Sequence, residues 1–133
     1  MLVTPGHATL IVAESYGNKL TAFDIDDDGS LSGRRVWAEL GDGVPDGICL
    51  DAENAVWYGD VPHRRCMRVR EGGEVLQAIA LDRGCTACAL GGPGRRTLFM
   101  MATEWNGPEN MFAEPRTGQV LTADAPAPGA EWP

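Results

Sequence analysis

The sequence has no apolar run approaching the roughly 20 residues of a membrane span. Its first ten residues, MLVTPGHATL, lack a charged segment followed by an apolar stretch. Both absences predict a cytoplasmic protein with no membrane partner. Positive charge is scarce: 11 Lys and Arg face 19 Asp and Glu, for a net charge of -8. That balance disfavours nucleic acid and anionic membrane surfaces and tolerates cations. Long helical stretches are missing as well, because 17 Gly and 9 Pro punctuate the chain. Of the four cysteines, only Cys85 and Cys88 form a local motif, and no second C-x-x-C or H-x-x-H completes a zinc tetrahedron. Their expected role is that of two reduced core cysteines on a strand, with zinc or redox chemistry as the alternative.

Short apolar runs of a recurring kind are present. TLIVAES (9–15), AVWYGDV (55–61) and TLFMMAT (97–103) are each strand-length and rich in β-formers. They begin 46 and then 42 residues apart, the period of a four-stranded propeller blade. Ahead of each lies another apolar stretch with a tight turn: MLVTPGHA, GICLDAEN and TACALGGPGRR. Behind each follows an alternating segment: KLTAFDI, RCMRVRE and GQVLTAD. Outer strands are read in LSGRRVWAEL and EVLQAIAL, whereas the third unit ends in APAPGAEWP, whose prolines cannot continue a ladder. The predicted fold class is all-β: three antiparallel blades over 1–41, 42–83 and 84–125, the last one strand short, and a Pro-rich tail over 126–133. A chain of 133 residues is one domain.

Two places invite a cation. In FDIDDDGSLSGRR, Asp24, Asp26 and Asp28 alternate ahead of Gly29 as in a calcium loop. The closing Glu of such a loop is replaced by Arg35, so a hairpin turn is the better reading. In Val44-Pro45-Asp46-Gly47, Asp46 is expected in the turn directly before the apolar strand at Ile48, where a hard oxygen ligand suits calcium, zinc or manganese. An antiparallel meander puts the loops between the second and third strands of each unit at the same end as Asp46. Those loops bring His63, Arg64, Glu104 and Asn106 into consideration as further metal or substrate groups. His63 beside two arginines also reads as a solvated loop residue. The 15 residues EWNGPENMFAEPRTG are long enough for a lid. Trp37 and Trp57 are read as core, and Asp51 as a turn residue at the opposite end.

The text P-D-G-I-x-x-D-A-x-x-x-x-W, from Pro45 to Trp57, is flanked by F-D-x-x-x-x-G-x-L-x-x-R-R before and G-G-x-x-x-x-T-L-F after. Together these closely resemble the family of senescence marker protein 30 (regucalcin), gluconolactonase and luciferin-regenerating enzyme, from Met1 to about Asp124. The resemblance implies a six-bladed propeller with one divalent cation (Ca, Zn or Mn) at its channel and hydrolysis of a sugar-acid lactone. Asp46 is implied as both metal ligand and catalytic base. The family pattern also uses a Glu and two Asn without counterparts in this sequence, so the implied site is incomplete and the implied cation weakly held. Completion by a homodimer, or by a separate N-terminal half, is therefore expected. The open arc is expected to leave Ile48, Leu50, Trp57, Leu98 and Phe99 uncovered. The alternative function is a non-catalytic half-propeller acting as an assembly or binding module, or a truncated remnant.

Overall fold

The structure, a computed structural model, describes residues 1–131 as three antiparallel sheets of four, four and three strands. Strands β1 (Leu2–Val3), β2 (Thr9–Glu14), β3 (Lys19–Ile25) and β4 (Leu31–Glu39) form the first sheet in chain order. The second consists of β5 (Pro45–Leu50), β6 (Val56–Asp60), β7 (Arg65–Val69) and β8 (Val75–Ala80). The third holds β9 (Gly84–Gly91), β10 (Thr97–Thr103) and β11 (Gln119–Asp124), ordered β9-β10-β11. The expected runs and these strands coincide closely, because each run is bounded by Gly, Pro, Asp or Asn that cannot extend it.

The second sheet is buried on both faces. Val56 and Tyr58 of β6, with Met67 and Val69 of β7, pack against Ile11, Leu20, Ala22 and Trp37 of the first sheet. Trp57 and Cys66 point the other way, against Cys85, Cys88, Leu98 and Met100 of the third. Strand side chains alternate between faces, so two apolar neighbours require an apolar residue at every position, and VWYGD is buried throughout. Trp57 and Leu98, expected on an open surface, are fully buried between the second and third sheets. Ile48, Leu50 and Phe99 are half-buried.

The third sheet has no fourth strand among the described residues. Instead, the chain after β11 turns beneath the β5–β6 and β9–β10 turns. Gly129 bridges Asp51, Ala52 N–H donates to the Pro128 carbonyl at 2.8 Å, and Gly129 N–H donates to that of Arg95 at 2.8 Å. Two Pro-x steps, at Pro126 and Pro128, prevent a ladder but leave carbonyls free for such contacts. The last two residues of the expected tail, 132 and 133, lie outside the described residues.

Candidate functional site

Asp46 lies within β5, whose first residue is Pro45, and not in a turn ahead of it. The register explains its placement. Pro45 pairs with Asp60 and Ile48 with Tyr58, so Asp46 and Gly47 together oppose Gly59: a β-bulge. A bulge adds a residue on one strand and re-aims its side chain, here at the start of β5, an edge strand of the second sheet. Gly47 is required by what lies behind it: a Cβ there would stand 2.6 Å from Ala87 Cα on β9. Gly59 allows the same close approach, since its Cβ would meet the Cys85 carbonyl oxygen at 2.6 Å. The Pro45 carbonyl is fixed by the Ser15 hydroxyl, which donates to it at 2.7 Å.

The Asp46 carboxylate meets solvent, yet burial holds it above the usual carboxylate range, partly offset by the positive charge of the Met1 amino group. Among the described residues, no side-chain hydrogen bond contributes to its state. Such a carboxylate is a better proton acceptor than one held by an arginine.

Beside it lies a network of opposite character. Asp60 is fully buried and receives Arg65 Nε at 2.8 Å, while His63 Nδ1 lies 2.8 Å from its Oδ1. Asp42, in the loop before β5, receives Arg65 Nη2 at 2.9 Å and faces His63 Nε2 at 3.6 Å. His63 is exposed, as expected of a loop histidine, and lies between two aspartates. The hydrogen bond from Arg65 pulls the Asp42 carboxyl below its usual range. Burial first, then the charge of Asp60, pushes the Tyr58 phenol up to about 12. Asp60 and Arg65 are cross-strand partners on β6 and β7, a pairing visible in the strand register, whereas Asp42 joins them only through the tertiary fold.

Arg64 occupies a left-handed turn position (φ 51°), is exposed, and contributes its backbone carbonyl to Leu81 N–H. Glu104 and Asn106 lie in the loop between β10 and β11, which encloses a cavity of ≈ 620 Å³. The Asn106 carbonyl accepts from Asn110 Nδ2 at 2.9 Å, and the Glu104 N–H donates to Thr117 Oγ1 at 3.0 Å. Both side chains are exposed, and among the described residues neither bonds to Asp46. The Asp-rich turn between β3 and β4 is satisfied internally: Ser30 N–H donates to Asp28 Oδ1 at 2.9 Å, and Arg35 Nη1 pairs with Asp24 Oδ1 at 2.8 Å. Asp51 makes the expected turn at the opposite end, where its carboxylate accepts from Glu53 N–H, Ala55 N–H and, at 2.7 Å, Arg68 Nε.

A divalent cation does not fit this donor set. Among the described residues no three of His, Cys, Asp and Glu converge as metal ligands, and Asp46 stands as one carboxylate. One carboxylate does not make a closed oxygen cage.

The family model described as SMP-30/Gluconolactonase/LRE-like region matches residues 1–104. The chain is 34% identical over 100 residues to regucalcin of Xenopus laevis, covering 71% of this chain and 33% of the relative. It is 27% identical to 6-deoxy-6-sulfogluconolactonase of Pseudomonas putida, covering 98% of this chain and 46% of the relative. The solved structure of a luciferin-regenerating enzyme superposes with a TM-score of 0.81 over 98% of this chain and 46% of that one, at 18% identity, a likeness of fold. The chain spans less than half the length of these relatives. With the matched region running from Met1 through the first two sheets and β9 and β10 of the third to Glu104, the chain belongs to the SMP-30/gluconolactonase/LRE-like family.

Proposed function

We propose that the three sheets are blades of half a six-bladed propeller, over 1–41, 42–83 and 84–125 with the tail at 126–133, and that Asp46 is the base of a lactone-hydrolysing site. The observation that carries this reading is the bulge that presents Asp46 at the start of the edge strand β5, with its proton affinity raised by burial and no salt bridge to it among the described residues. Membership in a family that includes a sugar-lactone hydrolase supplies the substrate class.

The chemistry follows from the carboxylate. Water attacks the lactone carbonyl carbon as Asp46 accepts a proton from it; the ring C–O bond then breaks, the proton passes from Asp46 to the departing ring oxygen, and a hydroxy acid is released with Asp46 restored. His63, Arg64, Glu104 and Asn106 are candidates for orienting the sugar hydroxyls. A calcium, zinc or manganese ion beside Asp46 needs donors from outside these residues: from a second copy closing a ring about a two-fold axis, or from a separate chain.

The test is a ring-opening assay on a sugar-acid lactone with the purified chain, run with and without calcium, zinc or manganese, alongside its mass in solution. Asp46→Ala is expected to lose about 100-fold or more of the turnover, the scale of a general base. Undiminished turnover in Asp46→Ala overturns the assignment, and a strict monomer overturns the homodimer.

A second reading, an assembly module without catalysis, is favoured by the edge of the third sheet. β11 has no partner on its outer side among the described residues, and Val120 there is 63% exposed. An unpaired edge with an exposed β-branched residue is a template for another strand. A stable assembly with no turnover would select this reading.

A further inference from the structure

All four cysteines meet at the junction of the second and third sheets, although only two are neighbours in sequence. Cys66 on β7, Cys85 and Cys88 on β9, and half-buried Cys49 on β5 belong to one cluster with Trp57, Leu98 and Met100. On a regular strand, residues three apart face opposite ways. A bulge in β9 reverses this: Met100 pairs with Cys88 and Ala102 with Cys85, so both thiols share the buried face of β10. The β5 bulge then brings its strand against β9 at Gly47 and Ala87, and two residues further on Cys49 Sγ lies 3.8 Å from Cys88 Sγ.

The pair is also reachable. Cys49 and Cys88 both line a cavity of ≈ 460 Å³, walled by Leu2, Val3, Ile48 and Leu90. Cys66 and Cys85 are fully buried and do not line it. We infer that Cys49 and Cys88 form an oxidisable dithiol, with Cys49 the peroxide-reactive thiol and Cys88 the resolving one, closing to a reversible disulfide.

The separation must shorten by about 1.8 Å to reach the ordinary S–S length, a movement of two side chains between adjoining strands. The Cys49 thiolate attacks one oxygen of hydrogen peroxide and the O–O bond breaks, giving a sulfenic acid and hydroxide, which takes the thiol proton and leaves as water. The Cys88 sulfur then attacks the Cys49 sulfur, the S–O bond breaks, and a second water leaves. Two electrons and two hydrogens pass from the thiols to one peroxide. A small dithiol reverses the change by thiol–disulfide exchange. The neighbouring thiols supply hydrogen bonds: contact with Cys49 first, and then with Cys66, raises the Cys88 thiol, while contact with Cys66 raises that of Cys85; Cys85 and Cys88 in turn lower the Cys66 thiol.

The test is equimolar hydrogen peroxide on the full chain, followed by alkylation and peptide mapping without reductant. The expected result is loss of two hydrogens per chain, a cross-linked Cys49–Cys88 peptide, free Cys66 and Cys85, and full reversal by dithiothreitol. In Cys88→Ser, a dimedone adduct should accumulate on Cys49. In Cys49→Ser, whose half-exposed site tolerates the change, the intramolecular disulfide should disappear. Four thiols left free, a Cys66–Cys85 cross-link, or undiminished disulfide formation in Cys49→Ser would each overturn the assignment.

Discussion

Strand β5 has an aspartate at each end, and the two live under opposite conditions. Asp51, just past the C-terminal end, is fully buried and satisfied by two backbone N–H groups and Arg68, whose Nη2 also pairs with Glu53 at 2.7 Å. Asp46, at the N-terminal end, meets solvent, makes no salt bridge among the described residues and has an elevated proton affinity. The first arrangement stabilises a turn and leaves the carboxylate chemically inert. The second costs stability and leaves a lone pair available. A strand only six residues long thus separates a structural end from a reactive one.

The largest test of this contrast is Asp51→Ala, which leaves the buried Arg68 guanidinium with only the exposed carboxylate of Glu53. Urea unfolding should show a loss of about 3–5 kcal/mol, the range for breaking one side of a buried ion pair. Asp46→Asn should leave the chain folded and reduce lactone turnover by about 100-fold or more, roughly 2.7 kcal/mol of barrier. If both variants damaged only stability, or both only turnover, the distinction between the two ends would collapse.

Gly47→Ala sharpens it further, since the added methyl must push β5 from the β9 backbone. A loss of about 1–3 kcal/mol is expected from overpacking. Turnover should fall with Asp46 still in place, which a purely chemical role for the carboxylate would not produce.

The smallest effect concerns Asp46 and pH. Its folded-state value lies above the ordinary 3.8, so the folded chain keeps a proton that the unfolded chain has released. Stability from this group is greatest below 3.8 and falls as pH rises through the folded value. Asp46→Asn should therefore melt slightly higher than the parent at neutral pH. The gap should close in acid below 3.8.

The strands were legible because their signals are local. A run such as TLFMMAT is flanked by breakers on either side, and β10 occupies Thr97–Thr103 as that run predicts. Pro-Asp-Gly likewise pointed to Asp46. What the sequence could not display was anything set by two strands from different sheets. The bulge at Asp46–Gly47 turns a residue expected in a turn into a strand residue. The bulge opposite Met101/Ala102 brings Cys85 and Cys88 to one face. Cys49 and Cys66 look isolated in the sequence because their partner strand lies some twenty to forty residues further along. His63 reads as an ordinary loop histidine until Asp42 arrives from the preceding connection.

The clasp beneath the second sheet has a consequence for how the chain is made. Gly129 bridges Asp51 and Ala130 N–H donates to the Leu50 carbonyl, so the turn after β5 is completed by residues translated 78 positions after Asp51. At about 5–20 residues per second, ribosomal synthesis leaves that turn without its clasp for roughly 4–16 seconds. During that interval the Leu50 carbonyl and the Ala52 N–H have water in place of their final partners.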